Sequence, residues 1–417
     1  MEIKQLRINA ARLENSIFTL AEYGKNESSG LDRTTFTPAE LAARDWLKQE
    51  LESLSLELRV DQAANIWAKR PGTEPALPSI AFGSHIDTVP NGGKYDGALG
   101  VLIALEVMKL LNEHGIRTRH PLELVSFSAE EPNPFGLSTF GSRAVTRKLK
   151  RTDIIGVTNP SGQPLTEALR SAGGDPDRFE DAALSLAQLS AFMEVHIEQG
   201  KRLLNRDIPV GVVTAITGIY REEVIVSGEA NHAGTTLMED RNDALTAASE
   251  IVLALEDVCR RHPASEVVGT VGRMTVKPNA ANIIPEEVSF IVEIRGKSRE
   301  EIREAIAAWE TRIQTVSRHA RVKRIVMLDQ DPAQMDETVI RVSQEQADRL
   351  GYPSYLLGSM AGHDATHMAS ITRSGMLFVP SIGGKSHCPD EESRMEDIEK
   401  VANVLLQTIL ELDQRLD

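Results

Sequence analysis

The chain has 417 residues, more than the ~100–200 of one ordinary domain, so two domains are expected. With 41% hydrophobic and 26% charged residues, its composition is that of a packed globular protein and excludes a disordered chain. The formal net charge of −15, from 61 acidic against 46 basic residues, excludes a phosphate-backbone partner, which calls for a basic surface.

At the start of the chain, MEIKQLRINAARLENSI scatters charges among its apolar residues and lacks the apolar core of a signal peptide. Residues 80–89 (IAFGSHIDTV) predict a buried strand, 101–114 a helix, 122–129 a second strand and 191–197 (AFMEVHI) a third. The richest apolar stretch, from Val101 to Leu111, is short and carries Glu106 and Lys109, so no membrane span is expected. From Val212 the rhythm changes. Two strand-like runs (VVTAIT and EEVIVSGEA) precede a helix at 243–261, strands at 267–276 and 287–295, a helix at 299–319 and a strand at 322–328. Ile302, Ile306, Trp309, Ile313 and Val316 fall on one stripe of that last helix, the pattern of an amphipathic surface helix. Residues 376–382 (MLFVPSI) then predict a strand and 396–412 a helix. The expected fold class is α/β. Helices surround a mixed sheet in a discontinuous domain, 1–211 and 332–417, interrupted by an inserted α+β domain at 212–331. The two cysteines, Cys259 and Cys388, form no CxxC motif and no disulfide framework, which fits a cytoplasmic protein.

Five short stretches collect His, Asp and Glu beside Gly and Pro where strands end. They are GSHIDTVPNGG with His85 and Asp87, KYDGALG with Asp96, SAEEPNPFG with Glu130 and Glu131, EVHIEQG with Glu194, His196, Glu198 and Gln199, and GGKSHCPDE with His387. In H-x-D on an extended chain the two side chains share a face, so Asp87 can orient the His85 imidazole. Adjacent carboxylates on an extended chain point apart, so Glu130 and Glu131 suit different roles, one a ligand and one an acid/base. Each stretch alone has a plainer explanation, since a strand-end histidine is more often a hydrogen-bonded structural residue and an EE pair more often solvated surface. Five such loops, each following an apolar strand, are a constellation that chance does not explain. His114, His120, His262 and His319 sit among charged residues and read as solvated, and Cys388 reads as a bystander or pocket wall.

In order and spacing these stretches, with GSRA, NHAGTT, DRNDAL, PNAANIIP and AGHDA, resemble the M20-type metallo-amidohydrolases. That family includes N-carbamoyl-L-amino acid hydrolases, allantoate amidohydrolases, ureidoglycolate amidohydrolases and β-ureidopropionases. The similarity runs from about Thr34 to the C-terminal helix. It implies a metallopeptidase-like catalytic domain, with the insert as a lid and dimerisation domain. It also implies two divalent ions, Zn, Mn or Co, one held by His85, Asp96 and His196 and the other by Asp96, Glu131 and His387, with Asp96 bridging. Glu130 would be the general base, with Asp87 assisting at the catalytic centre. His232 in NHAGTT would reach the active site of the partner subunit and stabilise the oxyanion. Asn282 and Arg295 would grip the substrate carboxylate, Gln199 would contact the ureido end, and Arg221 (GIYRE) matches a substrate-binding arginine. His363 and Asp364 in AGHDA would shape the pocket or support ligands.

The reaction so implied is hydrolysis of an N-carbamoyl-L-amino acid to the free amino acid, CO2 and ammonia, in a homodimer. Allantoate and ureidoglycolate are alternatives within the same chemistry; an acylase, a peptidase or a non-catalytic binding member are alternatives outside it. Pro132 after the EE pair, Leu237 before Met238 and Met360 before AGHDA depart from the commonest pattern. Gly362, at a substrate-binding position, stands where the ureidoglycolate enzymes would have tyrosine. These departures spare the ligands and bear on the substrate.

Overall fold

The computed structural model describes residues 6–264, 266–316 and 320–416, apart from the side chain of Val316. Its strands, in chain order, are β1 (Glu57–Val60), β2 (Ile66–Arg70), β3 (Ser79–His85), β4 (Leu122–Phe127), β5 (Leu189–Ile197), β6 (Val210–Ile216), β7 (Gly218–Ser227), β8 (Val268–Lys277), β9 (Glu287–Gly296), β10 (Arg321–Gln330), β11 (Ala333–Gln334), β12 (Ser354–Ser359) and β13 (Arg373–Val379). The chain divides into two compact units, one of Met1–Thr214, Gln334–Leu357 and His363–Asp417, the other of Ala215–Ala333 and Gly358–Gly362.

The first unit is built on a mixed sheet in the order β1-β2-β4-β3-β5-β13-β6-β11, with β12 beside β6. Its centre, β4, β3, β5 and β13, is parallel, and every residue of β3, β4 and β5 is buried. Burial on both faces accounts for their reading as continuous apolar runs rather than alternating ones. The helix Ala98–Glu113 is buried along nearly its whole length, and Met395–Arg415 contributes a second broad buried face to the same core. Helix starts are chemically marked. Thr37 caps Pro38–Glu52 by accepting from the Glu40 amide, and Asp336 caps Glu337–Leu350, which ends at Gly351 in the left-handed region.

The second unit is an antiparallel sheet in the order β10-β7-β9-β8. Strands β7 and β9 alternate between buried and half-buried residues, and the buried set packs with the helices Ala244–Arg261 and Arg299–Val316 around Trp309, Phe290 and Ile294. Trp309 donates its indole N–H to the Ile251 carbonyl at 3.0 Å. Ile302 and Ile313 are buried as the stripe requires, and Ile306 packs half-buried beside them. The Val316 side chain and His319 lie outside the described residues.

Three expectations are corrected. Val212–Ile216 of the VVTAIT run belong to β6, which pairs with β13 through Leu377↔Val212 and Phe378↔Gly211, so this strand is part of the large sheet and not of the antiparallel one. His120 is fully buried, with its ring nitrogens 2.8 Å from the Pro78 carbonyl and 3.1 Å from that of Leu416. The side chain of His262 is only 6% exposed and accepts from the Ala264 amide. Neither histidine is solvated.

Candidate active site

The four parallel strands end together, and the chemistry-bearing loops leave from their carboxyl ends, the usual place for a site on such a sheet. His85 is the last residue of β3, His196 the penultimate residue of β5, Glu130 and Glu131 follow β4, and His387 follows β13. Asp96 lies just before the helix Ala98–Glu113. Gly97 between them has φ +61°, and a Cβ there would lie 2.2 Å from the His85 ring. Its amide approaches His196 Nε2 at 3.1 Å. Only glycine fits both demands.

Ligand atoms of His85, Asp96 and His196 lie within 4.8 Å of one another, as do those of Asp96, Glu131 and His387. Asp96 Oδ1 is 3.1 Å from His196 Nε2 and 3.7 Å from His85 Nε2, while Oδ2 is 3.5 Å from His387 Nε2. Glu131 Oε1 lies 3.6 Å from His387 Nε2 and is buried without a hydrogen-bond partner. Among the described residues no lysine or arginine forms an ion pair with Asp87, Asp96, Glu130 or Glu131. Burial, with Asp96 nearby, pushes the Glu131 carboxyl up to about 8, and hydrogen bonding to Asp96 lifts His387 to about 9. Burial raises Glu130 well above the ordinary carboxylate range, reinforced by Glu131 and opposed by His85. Asp96, Glu130 and Glu131 thus form a buried nest of carboxylates whose negative charge divalent cations would compensate. Mixed imidazole and carboxylate donors with an orphaned carboxylate oxygen fit a pair of such ions.

Glu130 and Glu131 meet different partners, Glu130 Oε2 lying 3.6 Å from His85 Nε2 and Glu131 Oε1 3.6 Å from His387 Nε2, and the extended chain is broken just before them. Ala129, just before them, has φ +51°. Asp87 does more than expected. His85 Nδ1 is 3.0 Å from the Asp87 carbonyl and 3.5 Å from its carboxylate. That carboxylate accepts from the amides of Glu130 and Glu131, both at 3.2 Å, and from the Thr35 hydroxyl at 2.9 Å. Gln199, at φ +58°, donates its amide to Asp96 Oδ2 at 2.7 Å and keeps a buried, unpartnered Oε1. His363 is buried, its ring 4.5 Å from that of His196 in an edge-on contact. Glu194 accepts from Ser84 and from the Ala365 amide, and Glu198 from the Arg202 and Leu203 amides, so both are structural.

The remaining candidates belong to the second unit. Arg221 on β7 lies opposite Glu293 on β9 and pairs with it. Arg295, two residues along β9, donates to the same carboxylate at 2.7 Å and to the Met360 carbonyl at 2.7 Å. His232 Nδ1 accepts from the Gly234 and Thr235 amides, which leaves the neutral ring its proton on Nε2. Asn282 is exposed, its carbonyl accepting from the Ala233 amide. Gly362 is exposed, with open space where a Cβ would stand. Sequence reasoning missed Thr35, Ser386 and Glu293. Their residue types are too common, and their partners too distant along the chain, to leave a signal.

A profile of peptidase family M20/M25/M40 matches residues 81–411, which span every ligand position. The chain belongs to that family. This M20 chain is 37% identical to an N-carbamoyl-L-amino acid amidohydrolase of Geobacillus stearothermophilus, covering 98% of this chain and 99% of that one. It is 34% identical to an allantoate amidohydrolase of Bacillus subtilis, covering 99% and 100%. A solved amidase of the hydantoinase/carbamoylase family from Burkholderia multivorans superposes with a TM-score of 0.91 at 32% identity, covering 97% and 98%. The M20 chain is therefore an amidohydrolase. Similarity of 37% and 34% to enzymes of different names does not select a substrate. Among the described residues no helix is long and apolar enough to cross a membrane.

Proposed function

We propose that this enzyme hydrolyses the ureido C–N bond of an N-carbamoyl-L-amino acid, using two divalent cations, and that it works as a homodimer through its second unit. The observation that carries the reading is the pair of ligand groups sharing Asp96, with a buried Glu131 oxygen that has no hydrogen-bond partner. His85, Asp96 and His196 would hold one ion of the Zn, Mn or Co kind, and Asp96, Glu131 and His387 the other. When bound, such a pair polarises a carbonyl and acidifies water at neutral pH.

The chain's own groups divide the remaining work. Glu130 takes the proton of the attacking water and returns it to the leaving nitrogen. Ammonia departs, and the carbamate left on the amino acid loses CO2. Asp87 fixes the Glu130 and Glu131 backbone, so base and ligand are held together by one carboxylate. The unpartnered Gln199 Oε1 suits a ureido N–H. The Nε2 proton of His232 suits the developing oxyanion, a donor of a kind worth roughly 3–4 kcal/mol in such sites. Arg295 and Arg221 offer planar forks matched to a carboxylate, which displaces Glu293 as their partner, with Asn282 as a further donor.

Ammonia release across a panel of N-carbamoyl-L-amino acids, allantoate and ureidoglycolate, with the metal-loaded enzyme, tests the assignment. Highest kcat/KM is expected on a carbamoyl-amino acid. Preference for allantoate or ureidoglycolate would replace the substrate and keep the chemistry. Cleavage of only an N-acetyl amino acid or a dipeptide would overturn both.

A further inference from the structure

Glu391 stands four residues beyond His387 and has no role so far, yet it is 1% exposed and turned toward the bridging ligand. Its Oε1 accepts from the amides of Tyr95 at 2.9 Å and Asp96 at 3.0 Å. Its Oε2 accepts from the Ser386 hydroxyl at 3.1 Å, and that hydroxyl lies 2.7 Å from Asp96 Oδ2. The Glu391 amide donates to the Cys388 carbonyl at 3.1 Å, closing the turn on which His387 sits at φ +56°. One carboxylate therefore ties two loops that are nearly 300 residues apart in sequence, and each of those loops carries a ligand of the second group.

The Asp96 loop is shaped for this contact. A Cβ at Gly93 would stand 2.2 Å from Glu391 Oε1 and 2.5 Å from Glu391 Cβ, so the backbone lies flush against the glutamate and any larger residue would displace it. A carboxylate buried beside Asp96 adds negative charge where four other acids already crowd, which is costly for a residue that only staples loops. The arrangement makes sense if Asp96 is to be held in place for cations at the two ligand groups that share it.

We propose that Glu391 is a positioning residue for the metal centre, fixing the Asp96 backbone and, through Ser386, the His387 turn, so that Asp96 is presented between the two ligand groups. The proposal rests on the two-cation reading above. Groups that orient metal ligands contribute about 10–100-fold to metal affinity when removed.

The test is Co2+ binding by chelator competition, with the visible spectrum of the bound ion, on wild type, Glu391→Ala and Glu391→Gln. Glutamine keeps one oxygen for the Tyr95 and Asp96 amides, so it serves as the conservative rescue. Expected are a loss of about 10–100-fold in affinity and an altered spectrum for Glu391→Ala, with Glu391→Gln recovering most of the affinity. At saturating metal the loss in Glu391→Ala appears in kcat, with KM close to wild type. Wild-type affinity and spectrum in Glu391→Ala, or a Gln variant no better than Ala, would overturn the proposal. If the Ala chain does not fold, Glu391→Asp, which withdraws the carboxylate by one methylene, is expected to show the same loss, and wild-type binding there overturns it equally. A wild-type protein that binds no Co2+ would instead bring down the two-cation reading itself.

Discussion

Glu130 and Glu131 are adjacent in the chain and serve different neighbours, Glu130 meeting His85 and Glu131 meeting His387. The left-handed Ala129 before them and the Asp87 carboxylate beneath their amides produce that divergence. Because Glu130 is in neither ligand group, Glu130→Gln separates base from ligand. Turnover is expected to fall by about 10²–10⁴-fold, with bound metal at the wild-type level. Retained turnover would show that Glu130 is not the base, and lost metal would make it a ligand. At this scale the sequence is a partial guide. The histidines and carboxylates that meet at the strand ends were legible because they recur beside glycines there. Their supports were not: Thr35, Ser386 and Glu293 act through contacts made only on folding. His120 misled for a related reason. Its sequence neighbours Arg117 and Arg119 are charged, but burial follows the tertiary neighbours Pro78 and Leu416.

The elements explain why the site sits where it does. Parallel strands buried on both faces deliver their carboxyl ends to one edge, and the turns leaving that edge hold Ala129, Gln199 and His387 at positive φ. Non-glycine residues in that region cost about 1–3 kcal/mol each and concentrate where function demands a particular direction of the side chain. The predicted strands at 80–89 and 122–129 overran for this reason. Ile86, Val89 and Ala129 keep apolar residues in the two runs past His85 and Phe127, where the strands end. Gly97→Ala tests the tightest of these turns, since it would place a methyl 2.2 Å from the His85 ring at φ +61°. Metal affinity should drop by at least about ten-fold and stability by more than ~1 kcal/mol; unchanged metal binding would show that the ring can move aside without consequence. In the second unit Trp309 is fully buried between helix and sheet. Trp309→Ala should lower unfolding stability by about 3–5 kcal/mol, measured by denaturant titration, and a cost below ~1 kcal/mol would mean that the helix stripe does not anchor this core.

For the whole molecule, strand–helix alternation broken by an antiparallel rhythm is what the sequence offers for expecting an inserted unit. It could not reveal that β6 still belongs to the large sheet, because an apolar run looks the same in either sheet and only its pairing with β13 distinguishes them. Nor could spacing show that Asp96 and His387, 291 positions apart by their numbering, share a ligand group. The account rests on His85, Asp96, Glu131, His196 and His387 holding cations together. The most direct measurement strips the protein with a chelator, then titrates a divalent metal back while following bound equivalents and ammonia release. The stripped enzyme should be inactive, and activity should return as about two equivalents per chain bind, with His387→Ala retaining only one of them tightly. Full turnover by the stripped protein, or two tight equivalents in His387→Ala, would contradict it.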